Sequence, residues 1–104
     1  MSQDLPPENC RDMGELRREI DRIDRALVAL LAQRQGYIER AAAIKSERLR
    51  IRDEDRIEDV ITKVLAEAAR LGLSAAIAEP VWRELMERSI AHEFDAFDAR
   101  EPRG

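Results

Sequence analysis

Residues 16–45 constrain the fold of this 104-residue chain more than any other stretch. The stretch contains no proline, and its apolar residues recur at spacings of three and four: Leu16, Ile20, Ile23, Leu27, Leu30, Leu31, Ile38, Ala41 and Ile44. That spacing is the period of one face of an α-helix. The sequence therefore predicts a long amphipathic helix with one buried apolar face.

Two cations, Arg34 and Lys45, interrupt this apolar stripe. They are separated by about three helical turns, so on a continuous helix they point almost the same way. A packed core rarely accepts arginine or lysine without an anionic partner. Either acids elsewhere in the chain pair with these two cations, or an anionic ligand does.

The predicted helix is too long for one small chain to cover. Asp12 and Glu15 are a plausible capping pair at its start, and the pattern continues to about Glu47. Such a helix is about 50 Å long. A compact chain of this size has a radius of gyration of only about 13 Å. We therefore expect an intertwined homodimer in which the long helix spans both protomers.

The rest of the chain predicts two medium helices, which makes the fold all-α with three helices per chain. Asp53 caps the second helix, which ends at Gly72, and Ser74 caps the third, in which Pro80 should cause a kink or a restart. Residues 1–11 should form an irregular arm, 12–98 the helical domain and 99–104 a frayed tail. The expected buried faces are Ile57, Val60, Ile61, Val64, Leu65 and Ala68 on the second helix, and Val81, Trp82, Leu85, Ile90, Phe94 and Phe97 on the third.

Composition excludes several classes of protein. The net charge of −4 provides no general basic surface for nucleic acid. No apolar run is long enough for a membrane span, and the polar first residues do not resemble a signal peptide, so we expect a cytoplasmic protein. Cys10 is the single cysteine, which permits no internal disulfide and is most simply an incidental thiol. His92 is the single histidine, which excludes a multi-histidine metal site within one chain.

Five segments together resemble the all-helical (AroQ-class) chorismate mutase family: LRREIDRID at 16–24, LLAQR at 30–34, Lys45, RDEDR at 52–56 and RSIAHE at 88–93. The likeness covers roughly residues 13–97. It implies an intertwined dimer with two active sites and the Claisen rearrangement of chorismate to prephenate, a step of aromatic amino acid biosynthesis. The resemblance implies no metal or other cofactor, because the reaction is intramolecular.

The resemblance gives roles to three cations of the predicted long helix. Arg17 matches the arginine that the neighbouring chain donates to grip a substrate carboxylate. Arg34 matches the in-chain arginine that binds the other carboxylate region, and Lys45 the lysine that contacts the ether oxygen and a carboxylate. From the sequence pattern alone, the simpler interpretation of Arg17 is an ordinary surface arginine.

Four further residues match the family's binding positions. Asp53 and Arg56 match the acid and the arginine near the ring hydroxyl and the carboxylate, although by themselves they read as a cap and a local salt bridge. Ser89 matches a serine that contacts a carboxylate. Glu93 falls where many members have glutamine beside the ether oxygen. Glu93 can donate there only when it is protonated, so we expect activity to fall as pH rises and Glu93→Gln to flatten that profile.

Other features resemble a sister group, the isochorismate pyruvate lyases, which form salicylate on the same scaffold. These features are PENC at 7–10, IDRID, and RQGYIERAAAIK with Tyr37. Many mutases also have a glutamate where this chain has Ile57. RDEDR, Ser89 and Glu93 favour the mutase. A non-enzymatic helical dimerisation module is the third alternative, and it predicts that Arg34→Ala and Lys45→Ala are neutral or stabilising.

Overall fold

The computed structural model describes residues 5–100, and these residues form helices without any strand. The three α-helices are α1 (Met13–Ile44), α2 (Glu54–Leu71) and α3 (Ala75–Asp98), with short 3-10 helices at Pro7–Asn9 and Arg48–Arg50. The prediction of one long and two medium helices is confirmed. Residues 101–104 of the predicted frayed tail and residues 1–4 of the predicted arm lie outside the described residues.

The chain divides into two compact units, Met1–Gln35 and Gly36–Gly104. In the first unit, Asp12 Oδ1 accepts a hydrogen bond from the backbone N–H of Glu15 at 2.8 Å, as the predicted cap requires. The carboxylate of Glu15 accepts from the backbone N–H of Arg11 at 3.1 Å. A reciprocal capping box would require the Glu15 carboxylate to accept from the N–H of Asp12. It accepts from the preceding residue, so the box is not completed.

The ends of α2 and α3 follow local sequence rules. Asp53 accepts from the N–H of Arg56 at the start of α2, and Ser74 accepts from the N–H of Ala76 at the start of α3. Gly72 ends α2 in the left-handed conformation, with φ of 78°. These three predicted boundaries are confirmed.

The core of the second unit lies mainly where α2 packs against α3. Ile57, Ile61 and Ala68 of α2 are buried, and Ile90 of α3 is buried, as predicted. Val81 is 53% exposed, so its predicted burial is wrong. The pattern also missed four core residues: Ala42 on α1, Ile51 in the connection before α2, and Ala78 and Met86 on α3.

The structure bears on two predictions about helix continuity. The third helix does not restart at Pro80, because α3 runs unbroken from Ala75 to Asp98, and the alternative of a kink there stays a prediction. The long helix ends at Ile44 and not near Glu47. At this end of the helix, Arg100 Nη1 donates to the carbonyl of Ala42 at 2.9 Å, which a continued helix would pair with the backbone N–H of Ser46.

The apolar stripe of α1 is largely uncovered in the single chain. Ala42 is the only buried residue of the helix. Within residues 5–35, Ile20, Ile23, Leu27 and Leu30 are 47–59% exposed. The stripe exists as predicted, but the chain alone does not bury it. Across residues 5–100, no helix combines the length and the apolar character that crossing a membrane requires.

Candidate active site

An open cleft of about 530 Å³ in the second unit is the principal candidate site. It lies where α1 ends, at the connection to α2. Two of the predicted substrate-binding residues, Lys45 and Asp53, line it together. The full lining is Lys45, Leu49, Arg50, Arg52, Asp53, Glu54 and Asp55.

Lys45 is the first residue after α1, and it pairs with an acid from α3. Its backbone N–H still donates to the carbonyl of Ala41 at 3.0 Å, so the backbone follows the helix up to this residue. The Lys45 Nζ atom lies 2.6 Å from Glu93 Oε2. The sequence analysis left open whether an acid of the chain or an anionic ligand pairs with Lys45. In this structure the partner is an acid of the same chain.

Among residues 5–100, Glu93 is the one charged residue that is buried, with 5% of its surface exposed. Its Oε2 atom lies at ion-pair distance from Lys45 but has no aligned hydrogen-bond donor among residues 5–100. Charge attraction therefore holds this pair without a well-directed hydrogen bond. The buried oxygen keeps capacity for a further hydrogen bond, and such a group is costly to leave unsatisfied.

Asp53 and Arg56 make local contacts at the start of α2. The Asp53 carboxylate caps the helix through the N–H of Arg56. The Arg56 guanidinium turns to Asp59, with 2.6 Å between Nη1 and Oδ2. Hydrogen bonds to Asp59, first from Lys63 and second in effect from Arg56, hold the pKa of the Asp59 carboxyl below its usual range. The local salt bridge read from the sequence is therefore present, with Asp59 and not Asp53 as the acid.

The remaining predicted binding residues fall in both units. Ser89 is half-buried on α3, one turn before Glu93. Arg34 is half-buried and Arg17 is exposed, and both belong to the unit that ends at Gln35. The binding roles assigned to these residues, and to Asp53 and Arg56, stay predictions.

Two arginines that the sequence analysis did not single out lie in the connection between α1 and α2. Both bind carboxylates of α3. Arg52, which lines the cleft, binds both carboxylate oxygens of Glu87 at 2.9 and 3.0 Å and lowers the pKa of that carboxyl. Arg48 binds both carboxylate oxygens of Asp98 at 3.0 and 3.1 Å. These partners are 35 and 50 residues apart in the chain, so no helical spacing could have predicted them.

Comparisons with known proteins find a family and relatives that this chain resembles over most of its length. A family model described as "Chorismate mutase type II" matches residues 16–94. A protein of Pseudomonas aeruginosa named "Isochorismate pyruvate lyase" is 28% identical over 87 residues, which cover 84% of this chain and 86% of that protein. A protein of Haemophilus influenzae named "T-protein" is 34% identical over 82 residues, which cover 78% of this chain but only 22% of that protein.

Proposed function

Since the chain belongs to the chorismate mutase type II family, we propose that it rearranges chorismate to prephenate at the cleft beside Lys45. The observation that carries the proposal is the Lys45–Glu93 pair, in which a half-buried ammonium meets a buried carboxyl 2.6 Å away. The ammonium also lines the cleft, where an anionic substrate can reach it.

The reaction explains why a cation is needed at this place. Chorismate carries two carboxylates, and its rearrangement breaks a C–O bond while forming a C–C bond within the same molecule. The enzyme must hold the folded conformer, which is catalysis by positioning. Negative charge gathers on the ether oxygen as the C–O bond breaks, so a donor aimed there binds the transition state more strongly than the ground state. Lys45 is that donor in this proposal.

Glu93 is the second group beside the ether oxygen in this proposal. While ionised it can only accept hydrogen bonds, and it partly neutralises Lys45. In its protonated form Glu93 can donate a hydrogen bond to the ether oxygen, and in its ionised form it cannot. This mechanism requires activity to fall as pH rises.

The other predicted residues hold the two carboxylates and the ring. Asp53 lines the cleft with Lys45, which supports a role near the ring hydroxyl. Arg56, exposed at the start of α2, must exchange Asp59 for a substrate carboxylate. Arg34 and Ser89 bind carboxylate oxygens in this proposal. No step requires a cofactor.

We propose that the active form is a homodimer in which Arg17 serves the neighbouring chain's site. The support is the uncovered stripe of α1, where Leu27 and Leu30 are 50% and 59% exposed. An apolar stripe of this extent favours a partner helix. A second copy of the chain offers the same stripe, as a two-fold symmetric interface requires.

Pyruvate elimination from isochorismate is the second candidate function. One observation favours it: the relative named isochorismate pyruvate lyase aligns over 86% of its own length. The two substrates share the dianion and the ether oxygen, so the Lys45 site suits both. Glu93, with its dependence on protonation, is the residue on which the choice depends.

Purified protein offered chorismate and isochorismate separately distinguishes these functions. The mutase reading predicts prephenate from chorismate and little or no pyruvate from isochorismate. Pyruvate together with salicylate from isochorismate, and no prephenate, would favour the lyase. The helical-module reading predicts neither product, and it predicts that Lys45→Ala leaves stability unchanged or raised.

Mixed dimers test whether two chains share a site. Arg17→Ala and Lys45→Ala chains should each be inactive alone. Unfolded together and refolded, they form heterodimers in which one of the two sites has both residues intact. Recovery of part of the wild-type rate is expected. No recovery, with heterodimers verified by mass, would contradict a role for Arg17 across the interface.

A further inference from the structure

Arg100, which follows α3, donates hydrogen bonds to backbone carbonyls at the C-terminal end of α1. Its Nη1 atom donates to the carbonyl of Ala42 at 2.9 Å and to the carbonyl of Lys45 at 2.6 Å. The last carbonyls of an α-helix lack partners within the helix, and the C-terminus carries partial negative charge. The last turn of α1 contains no basic residue of its own. Arg100 therefore supplies the cation that this helix end lacks.

Lys45 is consequently held at two points, and both come from the C-terminal part of the chain. Arg100 holds the backbone carbonyl of Lys45, and Glu93 holds its ammonium. We propose that Arg100 is a positioning residue that fixes the place from which Lys45 reaches into the cleft. It touches no substrate in this proposal and acts only through Lys45.

One aromatic ring of α3 contacts Arg100, and a second contacts Arg48. The Arg100 guanidinium lies over the ring of Phe97, 3.9 Å from its centroid. One turn earlier on α3, the ring of Phe94 lies under the Arg48 guanidinium at 4.4 Å, and Arg48 also binds Asp98. The end of α3 and the residue that follows it therefore contact the chain on both sides of Lys45.

The two lysines of the sequence allow a direct spectroscopic test. Lys45 and Lys63 are the only ones, so labelling lysine with ¹³C at the ε carbon gives two NMR signals. Lys63 pairs with the exposed Asp59 on α2 and serves as the internal control. In Arg100→Met, which removes the donors and keeps the stem over Phe97, we expect the Lys45 signal to move and narrow while that of Lys63 is unchanged. A Lys45 signal that superimposes on the wild type would overturn the proposal.

The kinetic consequence rests on the proposed function. Misplacing a catalytic group by about 1 Å can cost about 100-fold. We expect Arg100→Met to lower kcat for chorismate about 10- to 100-fold while KM changes less than about threefold. In a Lys45→Gln background, followed at high enzyme concentration so that its residual turnover is measured, the same substitution should lower kcat less than about twofold, because the group it positions is gone. Equal losses in both backgrounds would indicate a general structural role and overturn the proposal.

Arg70→Met is the matched control, since Arg70 is an exposed arginine in the last turn of another helix. It should change neither the Lys45 signal nor kcat. If both lysine signals of Arg100→Met move to unfolded positions, Arg100→Gln is measured by the same criterion. Its polar side chain is too short to reach the carbonyls of Ala42 and Lys45 as Arg100 does. Wild-type protein that turns over neither substrate, with a Lys45 signal that still moves in Arg100→Met, would refute the proposed function but not the positioning role.

Discussion

The Lys45–Glu93 pair predicts an asymmetry between two substitutions. Lys45→Met leaves the Glu93 carboxylate, only 6% exposed, without its counter-charge. Breaking a fully buried pair in this way costs about 3–5 kcal/mol of unfolding free energy. The Lys45 side chain is 29% exposed, so water can reach that end of the pair. We therefore reduce the expected cost at pH 7 to about 2 kcal/mol, which corresponds to roughly 10 °C in Tm for a chain of this size.

The reverse substitution should cost less. Glu93→Gln keeps the shape of the side chain, and the Lys45 ammonium it leaves can be hydrated. We expect about 1 kcal/mol or less. Lys63→Met, which removes an exposed pair with Asp59, is the matched control and should cost less than about 0.5 kcal/mol.

The assay is thermal and urea unfolding of all three variants at pH 7 and at one fixed protein concentration. Equal costs for Lys45→Met and Lys63→Met would refute the reasoning.

Four further predictions concern separate parts of the molecule. The kcat/KM of the wild type for chorismate should fall as pH rises, and Glu93→Gln should flatten the profile; a pH-independent wild-type rate would contradict a donating Glu93. Hydrogen bonds from Arg48 hold the pKa of Asp98 below its usual range, so this pair stabilises the fold above about pH 4 and is lost as pH falls through that lowered pKa. Arg48→Gln should therefore lower Tm more at pH 7 than at about pH 2, where only the contact of Arg48 with Phe94 is lost, and an equal loss at both would refute the linkage. Leu27→Glu should convert a dimer into a species of 11.9 kDa in sedimentation, since this half-exposed leucine lies on the uncovered stripe; an unchanged mass would argue against that interface. Partial desolvation and neighbouring acids raise the pKa of the Cys10 thiol, so iodoacetamide should alkylate it more slowly than free cysteine at pH 7.5, and faster alkylation would contradict this.

Local rules predicted the helices well. Asp53, Ser74 and Gly72 act within three residues of themselves, so their capping roles can be read from the chain. The faces of α2 that carry Ile57 and Ile61 follow from helical period alone. The end of α1 could not be predicted in this way, and the contact found there joins Ala42 to Arg100, 58 residues later in the chain.

The candidate site was predictable in its residue types but not in its pairings. Lys45 stood out because a cation lay in an apolar stripe, and Glu93 stood out by resemblance. That the two pair across 2.6 Å depends on how α3 packs, which no spacing in the sequence encodes. The apolar stripe of α1 shows the opposite case. Its pattern predicted burial, but Leu27 and Leu30 are 50% and 59% exposed among the described residues. The partner chain that we expect to cover them stays a prediction.

The most direct test of the account is the ratio of kcat/KM for chorismate to that for isochorismate, measured on one preparation alongside Lys45→Ala. We predict that chorismate is the better substrate, that prephenate is its product, and that Lys45→Ala abolishes turnover while the helical circular dichroism spectrum is retained. A ratio in favour of isochorismate would contradict the choice of substrate, and a fully active Lys45→Ala would contradict the site itself.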